Sequence, residues 1–143
     1  MRTGNWTSQI SIHANAAAAG TFTNMPAADT FLFSSHRHIT VADVSGMTYV
    51  RFKVNKQGTA ASSGAKLILR YSSNFSTTVS DYVDIGVSEV SLPVDTTNAS
   101  LITDWIEIDP TALGYEDIYL AVIGNGGNGT LDPAFGNISV SFS

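Results

Sequence analysis

The chain has no cysteine among its 143 residues, so disulfides and thiolate metal sites are excluded and its stability must come from packing. Charge is scarce as well: Asp, Glu, Lys and Arg make up 13% of the sequence, against about 25% in an average soluble chain. The polar surface must therefore come from Ser, Thr, Asn and Gly. Ser and Thr disfavour helix interiors and suit strands, turns and caps. No apolar run approaches the ~20 residues of a membrane-spanning helix. At the N-terminus Arg2 is followed by Gly4, Asn5 and Thr7, where the apolar region of a secretory signal would begin. Motifs of nucleophilic and metal chemistry are missing too: no G-x-S-x-G elbow, no H-E-x-x-H, and no phosphate-binding loop ending in Gly-Lys-Ser/Thr. These absences point away from an enzyme.

What is present is alternation. Hydrophobic residues are 43% of the chain, enough for a packed domain. Many recur at every second position, the period of a half-buried strand. Thr48, Val50, Phe52 and Val54 fall on one face of such a strand, with Tyr49, Arg51, Lys53 and Asn55 on the other. Leu67, Leu69 and Tyr71 oppose Lys66, Ile68 and Arg70. The same signature marks Ile10/Ile12, Phe31/Phe33, Ile39/Val41, Val83/Ile85/Val87, Val90/Leu92/Val94, Ile106/Ile108, Ile118/Leu120/Val122 and Ile138/Val140/Phe142. About eight to ten short strands divided by Gly, Pro, Asn and Asp predict an all-β, jelly-roll-like antiparallel sandwich. Helix is confined to single turns, at 15–20 between Asn15 and Gly20 and at 110–113 before Gly114. Residues 1–143 fit one domain, with 1–20 as an N-terminal arm plus first strand that packs at home or reaches a neighbour.

The charges are unevenly spread. All seven Lys and Arg lie at or before Arg70, while ten of the twelve acids follow it. Residues 56–64 read as a long hairpin loop, so the strands on either side are expected to pair. Arg51, Lys53, Lys66 and Arg70 would then share one outer face. Like charges set opposite one another weaken a sheet slightly, so such a face calls for an anionic neighbour. The net charge of −5 and the lack of an aromatic platform or recognition helix argue against nucleic acid.

Other clusters are weaker. Residues 124–129 spell G-x-G-x-x-G after a strand, but Thr-Leu-Asp-Pro follows instead of the helix a dinucleotide site requires. Glycines needing positive φ explain the loop better. Asp132 with Asn125 and Asn128 could offer oxygen ligands to Ca²⁺, although the Asp-rich spacing of a calcium loop is missing. No metal or other cofactor is expected. His36 and His38 lie two apart without an evident third ligand. Trp105, Glu107 and Asp109 share a strand face. Carboxylates that point the same way ~7 Å apart do not flank a bond as a glycosidase pair must, whereas Trp105 could stack on a sugar. Phe135 is expected to plug one end of the sandwich and to be a candidate contact residue.

From about Tyr49 onward the sequence resembles small jelly-roll proteins of tailed-bacteriophage virions. The shared features are Leu67-Ile-Leu-Arg-Tyr-Ser72, Trp105-Ile-Glu-Ile108, Ile118-Tyr-Leu-Ala-Val-Ile123 and, most specific, GNGGNGTLDPAFGNI at 124–138. The resemblance implies a non-enzymatic virion protein made in the host cytoplasm: a capsid decoration (cement) protein acting through its surface and oligomer contacts. Its partners would be the major capsid protein or another virion protein and copies of itself, a trimer being favoured, with no nucleic acid and no membrane. The alternative is a carbohydrate-binding adhesin module of a tail or head fibre, for which Trp6, Trp105, Tyr115 and Phe135 are the candidate aromatics.

Overall fold

The structure, a computed structural model, describes residues 8–13, 20–32, 40–42, 44, 46–115 and 117–143. Within them the alternating segments form strands: β1 (Ser8–His13), β2 (Gly20–Thr21), β3 (Thr30–Phe31), β4 (Thr40–Ala42), β5 (Tyr49–Lys56), β6 (Lys66–Ser72), β7 (Val83–Ser91), β8 (Ala99–Ile102), β9 (Ile106–Glu107), β10 (Ile118–Asn125) and β11 (Ala134–Phe142). Besides a 3-10 turn at Val79–Asp81, a helical turn, α1 (Pro110–Leu113), is capped by Asp109, whose carboxylate accepts from the Thr111 N–H at 3.0 Å, and it stops at Gly114. The sequence predicts both ends of this turn.

All strand pairs are antiparallel and fall into two sheets. The front sheet runs β1-β11-β5-β8, with β2 continuing the β1 side and β9 the β8 side. The back sheet runs β3-β10-β6-β7, with β4 sharing the β3 side of β10. Merging these short partners leaves eight strand positions in the order of a jelly roll. The fold is therefore the all-β sandwich expected from the alternation.

The core lies between the sheets. Val50, Phe52 and Val54 of β5 and Ile138, Val140 and Phe142 of β11 meet Leu67, Leu69 and Tyr71 of β6 and Leu120 and Val122 of β10. Each such side chain contributes about 1.5–3 kcal/mol by leaving water. Two expectations fail. β5 and β6 are not hairpin neighbours: β5 pairs with β11, β8 and β9, and β6 with β10 and β7. The 57–65 connector crosses from one sheet to the other. It is fastened there by Gln57 N–H to the Ala134 carbonyl (2.8 Å) and by Ala134 N–H to Thr59 Oγ1 (2.8 Å). Val83 and Val94, placed inward by simple alternation, are exposed. Val83 keeps the phase of buried Ile85 but stands at the open start of β7, ahead of the bulge in the β6–β7 pairing, and Val94 lies beyond the end of the strand.

Residues 73–82 fold over the outer side of the back sheet. Tyr82 packs there against Ala121 and Ile123, with Phe31, Val79 and Tyr119 around them. The Tyr82 hydroxyl donates to the Ser76 carbonyl at 2.8 Å, and the Phe31 and Tyr82 rings meet edge to face at 5.5 Å. The back sheet is thereby roofed; the front sheet carries no such cover among the described residues.

Candidate interaction surface

Alternation along β5 turns Tyr49, Arg51 and Lys53 outward on the front sheet, ~7 Å apart in sequence along one strand. Tyr49 sits opposite Glu107 of β9, Lys53 opposite Ile102 of β8, and Arg51 and Lys53 opposite Ser141 and Ser139 of β11. The bend between β8 and β9 brings Trp105 beneath Arg51, whose Cζ lies 4.5 Å from the indole centroid. A guanidinium over an exposed indole gains about 0.5–1 kcal/mol. Stacking also fixes the fork while leaving its N–H edges free to bind. Tyr49 (45%), Ile102 (52%) and Trp105 (38%) keep much of their surface in water.

The cations of the back sheet are in a different state. Lys66 pairs with Glu89 at 3.2 Å, and Arg70 bridges Asp29 and Asp84. The Asn125 side-chain hydrogen bond to Asp29, together with Arg70, holds the Asp29 carboxyl below its ordinary value. Among the described residues Arg51 and Lys53 have no carboxylate within ion-pair distance. The expected four-cation face is therefore corrected. Arg51 and Lys53 lie on one outer face, Lys66 and Arg70 on the opposite one, because the connector between their strands changes sheets.

Phe135 is also corrected as a contact residue. It is wholly buried and meets Phe22 edge to face at 6.3 Å, so it has no surface to offer. Each calcium candidate has its own internal partner. Asp132 accepts from the Asn24 N–H (2.6 Å), Asn125 donates to Asp29 (2.8 Å), and Asn128 accepts from the Thr130 N–H and hydroxyl. Among the described residues no three His, Asp or Glu side chains gather as metal ligands. Asp109 spends its carboxylate on α1 and forms no working pair with Glu107. Tyr115 is exposed just past α1. Trp6, His36 and His38 lie outside the described residues. A groove of about 380 Å³ between β7 and β8 carries Glu89 as its one ionisable side chain, already paired with Lys66.

Lys56 was not singled out by the sequence. Its side chain is buried, and its ammonium donates to the Asp95 carbonyl at 2.9 Å, tying the loop after β7 to the end of β5. The available signal was phase: Lys56 follows Val50, Phe52 and Val54 at even spacing, on the inward side. Also unforeseen was the roof, although β6 and β10 advertise it with the unbroken apolar runs Leu67-Ile68-Leu69 and Leu120-Ala-Val-Ile123.

No protein-family profile matches the sequence, and no curated protein matches it. Among solved structures the chain is similar to one chain in "Structure of infectious bursal disease virus Gx strain", at 12% identity and a TM-score of 0.47. The match covers 95% of this chain and 31% of that one, so this chain spans about a third of its length.

Proposed function

We propose that this protein is a non-enzymatic structural component of a bacteriophage particle, a capsid decoration or cement protein that works by its outer surface. The observation that carries this reading is the front sheet, which no described residue covers. It offers Tyr49, Arg51, Lys53, Ile102 and Trp105 to solvent, while the back sheet is roofed and its cations are paired. Exposed aromatics beside an unpaired Arg are the composition of protein contact surfaces. The likeness of residues 124–138 to phage jelly-roll proteins supplies the setting. Residues 1–143 act as one domain, and the partners are a shell protein and further copies of this chain.

The test is capture by particles. Shells stripped of the protein should rebind it from solution, and Arg51→Glu with Lys53→Glu should abolish rebinding while leaving the melting temperature in place. A protein never found in particles, and not retained by stripped shells, would end the proposal. A second reading, a glycan-binding fibre module, draws on Trp105 and Tyr49 being exposed on the same face. Reproducible binding on a glycan array, lost in Trp105→Ala, would favour it over the first.

A further inference from the structure

Both signs of charge sit side by side on the front face. One row is Arg51 and Lys53 on β5; the other is Asp104 and Glu107 on the adjoining edge, both exposed. Trp105, Tyr49 and Ile102 fill the space along and between the rows. Within one chain neither acid pairs with either cation. A patch with a cationic and an acidic row is self-complementary under a two-fold rotation, which is what an isologous contact requires.

We infer that the front sheet is a two-fold docking surface for a second copy of this chain, β5 of one copy lying across the 104–107 edge of its partner. The axis runs parallel to β5 between the two rows. Rotation about it keeps every residue at its height along β5, so Arg51 meets the partner's Asp104 beside Trp105, Tyr49 meets Glu107, and Lys53 lies over Ile102. The geometry favours a copy over an unrelated acidic partner. A purely anionic surface would satisfy Arg51 and Lys53 but would meet Asp104 and Glu107 with like charge, and such juxtaposition is costly. The inference rests on the reading above and narrows it: the front sheet joins copies, the pair is what the shell retains, and the Arg51/Lys53 substitutions act on rebinding through the pair.

Sedimentation velocity on four samples tests it. The wild-type chain should sediment at twice its 15.1 kDa mass. Arg51→Glu/Lys53→Glu and Asp104→Lys/Glu107→Lys should each associate about tenfold or more weakly, since like charges then face one another. An equimolar mixture of the two variants should restore a dimer holding one of each. All four side chains lie on the surface, and unchanged melting curves would confirm intact folds. Dimers or trimers indifferent to both substitutions, a mixture that stays monomeric, or a wild-type monomer that binds an acidic glycan instead would each overturn the inference. A wild-type monomer still retained by stripped shells would sink the two-fold contact and leave the particle role standing. A charge-dependent dimer that shells ignore would do the reverse.

Discussion

The two outer faces of this sandwich are built from similar strands yet finished in opposite ways. On the back sheet, Ala121 and Ile123 face outward and are covered by residues 73–82 through Tyr82, while Lys66 and Arg70 are neutralised by Glu89, Asp29 and Asp84. On the front sheet, outward positions of β5 and β11 carry Arg51, Lys53, Ser139 and Ser141, and nothing described lies over them. A sheet can bury its second face within its own chain or leave it to water and partners. Apolar outward residues need the first solution. A mixed polar and aromatic face permits the second, which is why the proposed contact lies on the front.

The largest effect that would break this contrast is loss of the roof. Tyr82→Ala removes a buried ring from a well-covered cluster and should cost about 3 kcal/mol in urea unfolding. The Tyr82→Phe variant, which loses the bond the hydroxyl donates to the Ser76 carbonyl and the longer one it accepts from the Ser76 N–H, should cost about 1 kcal/mol. If Tyr82→Ala unfolds within 1 kcal/mol of wild type, the 73–82 segment is a loose cover and the two faces differ less than drawn here.

The glycine loop after β10 sharpens the comparison at one end of the sandwich. The N–H groups of Gly126, Gly127 and Gly129 donate to the carbonyls of Ala27, Pro26 and Met25. Gly126 has φ +75°, and a Cβ there would strike the Gly64 carbonyl oxygen; at Gly127 it would strike that of Met25. Because backbone cannot yield as a side-chain tip does, Gly126→Val should cost about 2 kcal/mol or more, combining φ strain with overlap. An unchanged melting temperature would mean that the loop moves freely away from residues 25–27.

On the front face the effects should be small. Trp105→Ala removes an exposed stack with Arg51 and should cost about 1 kcal/mol or less. The same substitution should matter far more to association than to folding. A stability loss near that of Tyr82→Ala would show that Trp105 holds the edge of the sandwich and is not held ready for a partner.

Much of this was legible in the sequence, and what was not has a physical cause. The inward phase of β5 follows from Val50, Phe52 and Val54, and α1 from Pro110 and Gly114, whereas Asp109 reads as a strand residue and is in fact its cap. Alternation sees one strand at a time, however, and says nothing of which strand lies beside it. The 57–65 connector reads as a hairpin because its composition suits any turn. Its change of sheet depends on Ala134, which lies 75 residues beyond Thr59. The same distance problem separated the contact face into its true pair of cations only once the sheets were known. Phe135 illustrates a different limit. A lone aromatic in a Gly-rich loop could face either way, and the nearness of Phe22 decides it.

The smallest expected effect concerns the charges of the back sheet, where the direction is the informative quantity. Asp29 accepts hydrogen bonds from Asn125 and Arg70, which favour its ionised form and lower its folded value below 3.8. A carboxyl depressed by folding adds stability that is complete above its unfolded pKa, about 3.9. That stability is lost as pH falls through the lower folded value. The stability gap between wild type and Asp29→Asn should therefore be constant from pH 7 to 5 and shrink below pH 4. Since the pair is partly exposed, the gap should also narrow in high salt. Urea titrations at pH 6 and pH 3 measure it directly. A gap that widens on acidification would show that Asp29 is not stabilised as an anion, and the claim that the back sheet settles its own charges would fail at its best-connected carboxylate.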